Sequence, residues 1–213
     1  LMSDDIDCTG DGTTSQTCAM TSIGEDGARN VYIACKDTAG NEDSNSTNED
    51  LSYTLNTTNR YWVGGSGNWT DDDNHWALET NGTAGDGNVP TSTQNVIFDS
   101  NSGTGTVTIN TGSVTVANLT DSSANITIAT DVNGITVTGD LTVAGTISGA
   151  TAITLSGADK TIYGSGTISA PQIISANHTI DSTANLTISG TMTIDNTKTV
   201  TNNGTATVSD LGA

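Results

Sequence analysis

Residues 133–155 read Asn133-Gly134-Ile135-Thr136-Val137-Thr138-Gly139-Asp140-Leu141-Thr142-Val143-Ala144-Gly145-Thr146-Ile147-Ser148-Gly149-Ala150-Thr151-Ala152-Ile153-Thr154-Leu155. Ile135, Leu141, Ile147 and Ile153 fall every six residues. Most have a second apolar residue two places on, as in Ile135/Val137, Leu141/Val143 and Ile153/Leu155, so that two side chains share one face of a short strand. A beat of six means strand, bend, strand, which is the pattern of stacked coils with flat sides, a parallel β-helix. The beat continues after a slip of three through Ile162, Ile168, Ile174, Ile180, Leu186 and Met192. A sandwich of hairpins is the competing architecture, but it calls for longer strands at ~8–12-residue spacing.

A longer echo runs across the same region. Asp121-Ser122-Ser123-Ala124-Asn125-Ile126-Thr127-Ile128 returns as Asp181-Ser182-Thr183-Ala184-Asn185-Leu186-Thr187-Ile188. With three sides a coil takes ~18–20 residues, so the echo spans about three coils. Residues 101–213 then make about five or six coils and a stack of roughly 25–30 Å. Each strand alone buries too little to stand; stacking joins single aliphatics into continuous ladders, with β-branched Thr on the outside. Gly134, Gly139, Gly145, Gly164, Gly166 and Gly190 are expected at bends, where glycine permits positive φ.

Composition agrees with a thin-cored β protein. The chain has 213 residues, 33% of them hydrophobic and 14% charged, with 24 acidic against 5 basic side chains and a net charge of −19. Such acidity opposes binding to a phosphate backbone or an anionic membrane surface. No run approaches the ~20 apolar residues of a membrane helix. The chain opens on Leu1 without a signal segment and is read as a mature or partial chain.

Residues 59–100 stand apart. They hold Trp62, Trp69, Trp76 and Phe98, which are all the Trp and the single Phe of the chain. The seven-residue Trp spacing mimics a heptad, but the glycines between Trp62 and Trp69 exclude a helix there. Aromatics gathered in one block point to a plug over the apolar end of a solenoid, which needs a cap. The block Trp62-Val63-Gly64-Gly65-Ser66-Gly67-Asn68-Trp69, followed by Asn74-His75-Trp76, Pro90 and Val96-Ile97-Phe98, resembles the opening of bacterial autotransporter-like and adhesin-type β-solenoid surface proteins. That resemblance implies an extracellular structural or adhesive role.

Residues 1–58 carry 11 of the 24 carboxylates. Arg29–Lys36 alternates like a strand, with Val31, Ile33 and Cys35 on one face. From Val31 to the turn Asp37-Thr38-Ala39-Gly40-Asn41 the chain resembles the closing strands of bacterial immunoglobulin-like domains. Fifty-eight residues fall short of the ~100 of such a sandwich, so the resemblance implies a partial module whose open edge recruits a strand. The expected organisation is therefore all-β: a partial immunoglobulin-like module over 1–58, a Trp-rich cap over 59–100 and a parallel β-solenoid over 101–213.

Cys8, Cys18 and Cys35 allow three single bridges; Cys8–Cys18 closes a short Gly-rich loop and is favoured, with Cys18–Cys35 competing, in an oxidising extracellular setting. Asp5, Asp7 and Asp11 imitate the start of a calcium loop, but Gln16 stands where the bidentate Glu belongs. Asp71-Asp72-Asp73 is a second acidic cluster, and both clusters also fit solvated loops. Of nine Asn-x-Ser/Thr triplets, Asn56, Asn118, Asn125 and Asn185 are the candidate glycan acceptors. His178 with Asp181, and Asp159 next to Lys160, are the best pairs for catalysis; all four are expected at solvated bends, and no catalytic set is assigned. No resident cofactor is expected, calcium apart. The expected partners are further copies of the chain, by strand donation or end-to-end stacking, or a glycan or surface receptor. The alternative reading is a carbohydrate-binding or polysaccharide-processing β-helix module that uses the Trp block or the His178 face.

Overall fold

The computed structural model describes residues 58–212 and, before them, the strand backbones Cys8–Thr9, Thr17–Cys18, Gly27–Ile33 and Glu49–Leu55. The chain divides into two compact units, Leu1–Leu55 and Asn56–Ala213. In the first, Cys8–Thr9 pairs antiparallel with Thr17–Cys18. Gly27–Ile33 pairs antiparallel with Glu49–Leu55 along its full length. The turn Asp37–Asn41 lies outside the described residues.

The second unit is a three-sided parallel β-solenoid of six turns. Side 1 is built of Asn95–Phe98, Leu119–Asp121, Leu141–Val143, Lys160–Gly164, His178–Ile180 and Val200–Asn202, with Asn59–Trp62 beside the first of them. Side 2 is built of Gly105–Thr108, Ile126–Ala129, Thr146–Ser148, Thr167–Ile168 and the leading halves of Asn185–Ile194 and Thr205–Gly212. Side 3 takes Val114–Val116, Ile135–Val137, Ile153–Leu155, Gln172–Ile174 and the trailing halves of the same two long strands. Each six-residue step of the sequence carries the chain to the next side: Ile135 on side 3, Leu141 on side 1, Ile147 on side 2, Ile153 on side 3. All four are buried, as are Ile162, Ile168, Ile174, Ile180, Leu186 and Met192, and one apolar cluster runs through the coils. The slip of three falls at the corner between Leu155 and Lys160, where Asp159 adopts φ 55°.

Coil length departs from the expected ~18–20 residues. The side 1 ladder Val96, Leu119, Leu141, Ile162, Ile180, Asn202 gives coils of 23, 22, 21, 18 and 22 residues. The corners take up the excess: Val132, at one of them, is 81% exposed. The sixty-residue echo does span three coils, since Thr127, Thr146, Thr167 and Thr187 are successive partners on side 2.

The glycines do something other than expected. Of the six bend glycines only Gly164, at φ 107°, is left-handed. At the others a Cβ would run into the neighbouring coil: Gly145 faces the Ile126 carbonyl, Gly166 the Gly145 carbonyl, Gly190 the Ala170 carbonyl, Gly139 the Asn118 side chain and Gly134 the Ala152 carbonyl. They are small because coils stack about 4.8 Å apart, not because the chain reverses there.

Candidate functional site

The aromatic block forms around a chain that leaves side 1 and returns to it. Trp62 ends the strand Asn59–Trp62, and Trp69 follows the side 2 strand Gly67–Asn68. Trp76 opens a short strand that pairs antiparallel with Asn59–Trp62, with Trp62 and Trp76 as direct partners. The seven-residue spacing is therefore one excursion and its return. A single helical turn, Asp72–His75, lies on the return path between Trp69 and Trp76.

All three Trp and Phe98 are fully buried. Trp62 meets Trp76 edge-on at 4.9 Å and Trp76 meets Trp69 at 5.0 Å, geometry that the ring quadrupoles favour. His75 stacks flat on Trp62 at 4.2 Å. Its Nδ1 lies 2.7 Å from the Val63 carbonyl and its Nε2 4.0 Å from Asp71 Oδ2. Trp62 Nε1 donates to the Gly65 carbonyl and Trp76 Nε1 to the Trp69 carbonyl, each at 2.7 Å. Trp69 Nε1 is buried with no partner among the described residues. No indole face is open for a sugar ring to stack on.

Two of the three carboxylates of the acidic cluster beside this block bond locally. Asp71 accepts from Asn74 Nδ2 at 2.7 Å, and Asp72 accepts from the Asp73 amide at 3.1 Å. Among the described residues no three His, Cys, Asp or Glu gather as metal ligands. Asp5, Asp7 and Asp11 lie outside the described residues. Cys8 and Cys18 stand directly opposite in the antiparallel pair; their side chains, and Cys35, lie outside the described residues.

On side 1 a polar groove of about 200 Å³ is lined by Asp159, Asn177, His178, Thr179, Thr199 and Thr201. It brings Asp159 and His178 together and leaves out Asp181. His178 is not the solvated bend residue that the sequence led us to expect. It opens the strand His178–Ile180 in phase with inward Ile180, and only 3% of it is exposed. Its Nδ1 is 3.0 Å from the Ala176 carbonyl, and its Nε2 is buried without a partner among the described residues. Asp181 instead accepts from the Thr183 amide at 2.8 Å and the Thr183 hydroxyl at 2.6 Å. These bonds hold its carboxyl below the usual range. His178 and Asp181 thus face different ways.

The acidic residue that the sequence did not single out is Asp121. It is fully buried, accepting from the Ser123 amide and, one coil on, from the Gly145 amide, both at 3.0 Å. Burial pushes its pKa up to about 6 although both amides pull it down. It ties two coils together.

Of the glycan candidates, Asn125 and Asn185 are exposed, and Asn56 lies outside the described residues. Asn118 is half-buried in a corner ladder. Asn95 donates to Asn59 at 2.8 Å and Asn118 to Asn95 at 2.7 Å, while Asn118 Oδ1 accepts from the Asp140 amide at 2.7 Å. A glycan on Asn118 Nδ2 would have to enter this ladder.

No protein-family model matches the chain, and neither a characterised protein nor a solved structure does.

Proposed function

We propose that the chain is a non-catalytic structural or adhesive protein of the cell exterior, a stalk or fibre segment whose working part is the solenoid itself. The observation that carries this reading is the single aliphatic core running coil to coil with Thr, Ser and Asn outside it. In a column of this kind each coil is paired with the coils before and after it, so stability is shared from neighbour to neighbour and no coil needs a pocket or reaction centre. Trp62, Trp69, Trp76 and Phe98 act as the cap of the first coil. The short strand Trp76–Ala77 supports that role, since it covers the outer edge of Asn59–Trp62 with an antiparallel partner. The leading unit is the tail of an immunoglobulin-like module, a source of strand edges for self-association.

Polysaccharide processing is the weaker reading. The Trp rings offer no stacking platform, and the groove beside Asp159 presents a histidine whose ring is buried. No helix among the described residues is long and apolar enough to cross a membrane. The test is imaging with turnover. Light scattering and negative-stain images of the concentrated full chain should show ordered association, and acidic polysaccharides should survive incubation. A strictly monomeric protein removes the fibre role, and saccharide cleavage overturns the whole reading.

A further inference from the structure

Side 2 carries a surface more regular than strand propensity alone requires. Thr106, Thr127, Thr146, Thr167, Thr187 and Thr207 are successive cross-coil partners, forming one unbroken outward Thr column through six coils. Two residues on in each coil stands Thr108, Ala129, Ser148, Ser169, Ser189 or Ser209, a second column hydroxylated at every coil but that of Ala129. Between the columns the inward residue is always β-branched: Val107, Ile128, Ile147, Ile168, Ile188 or Val208. Such residues hold few rotamers and keep the sheet stiff. Among the described residues, no protein group holds the hydroxyls of the first column.

Three properties select the ligand. In a chain of net charge −19, neither column holds a charged side chain, so the face does not suit mineral surfaces, polycations or nucleic acid. It has no aromatic ring, so a polysaccharide finds nothing to stack on. It has a fixed two-dimensional repeat, about 4.8 Å from coil to coil and about 6.6 Å along the strand. Sides 1 and 3 lack the repeat: Asp140 and Tyr163 interrupt side 1, and Ile173 interrupts the Thr column of side 3. An uncharged, rigid lattice of methyl and hydroxyl groups matches a solid that repeats at comparable distances and offers only hydrogen bonds, which is ice. We propose that side 2 is an ice-binding face, with the Thr methyls seated between ordered waters and the hydroxyls continuing the lattice.

The experiment measures thermal hysteresis, crystal shaping and partition into a slowly grown ice front, using the full chain. The wild type should show all three. The pair Thr146→Lys and Thr167→Lys should lose them, and the gentler pair Thr146→Val and Thr167→Val should weaken them if the charged pair fails to fold by circular dichroism. Thr136→Lys and Thr154→Lys on side 3 should retain all three. A wild type without hysteresis overturns the proposal, including one that instead pulls down with crystalline cellulose or chitin. So do side 2 variants, folded and fully active.

Discussion

Asp121 and Asp181 open the two copies of the echo, yet the solenoid points one inward and the other outward. Leu119, Leu141, Ile162 and Ile180 are successive partners on side 1. Asp121 stands two residues after Leu119, whereas Asp181 stands one residue after Ile180. Strand side chains alternate, so that one-residue slip reverses the face. Asp121 is buried against the Gly145 amide, and Asp181 lies outside against Thr183.

Their pH dependences therefore have opposite signs. Asp121 has its folded pKa raised from 3.8 to about 6, so the folded state holds its proton over a range where the unfolded chain has lost it. Its contribution to stability falls as pH rises from 4 to 6, by on the order of a few kcal/mol. Asp181, with a lowered folded pKa, contributes above the unfolded value and loses that contribution as the medium turns more acid. The urea midpoint of the wild type relative to that of Asp121→Asn should fall as pH rises from 4 to 7. Parallel curves would contradict the assignment.

The glycine reading predicts a contrast that turn geometry does not. Gly145→Ala and Gly190→Ala force a methyl against a neighbouring coil's carbonyl and should each cost ~1–3 kcal/mol as overpacking. Gly112 has nothing within 4 Å of its missing Cβ, and Gly112→Ala should change stability by less than ~0.5 kcal/mol. Thermal unfolding of the three variants decides it.

Within the aromatic block, two equal truncations should differ. Trp76→Phe removes the donor to the Trp69 carbonyl, whereas Trp69→Phe removes an indole N–H that has no partner among the described residues. Leaving a buried carbonyl unpaired should make Trp76→Phe the costlier by roughly 1–3 kcal/mol. Equal losses by chemical denaturation would mean that the Trp69 carbonyl is satisfied some other way.

The opposed Cys8 and Cys18 are the pair expected to oxidise. Directly opposed antiparallel residues have Cα atoms about 4.5–5.5 Å apart, within the usual ~4.4–6.8 Å of a disulfide. Peptide mapping of air-oxidised, alkylated protein should find Cys8 linked to Cys18 and Cys35 modified. A Cys18–Cys35 link would reverse the choice.

The side-to-side march of the solenoid was legible because each six-residue step lands on an apolar side chain, in most cases with a second apolar residue two places on, a local signal. His178 was legible too, by strand phase: two residues before Ile180 it must share that residue's face, and reading it as a bend residue ignored this. The role of Gly139, Gly145 and Gly190 was not legible, because the carbonyl or amide each one clears belongs to the coil before it. The pKa of Asp121 was hidden for the same reason, since nothing in the local sequence separates it from Asp181 until the register of side 1 is known. The Trp spacing was visible, but its cause, an antiparallel return strand, needed the pairing of Trp62 with Trp76.

The central claim is that neighbouring strands are successive turns of one parallel column. Cross-strand contacts in an isotope-labelled sample, measured by nuclear magnetic resonance, test it most directly. The predicted result is a chain of backbone contacts linking Thr127 to Thr146, Thr146 to Thr167 and Thr167 to Thr187 in parallel register. Antiparallel contacts between sequence-adjacent strands, such as Ile135–Val137 against Leu141–Val143, would contradict it.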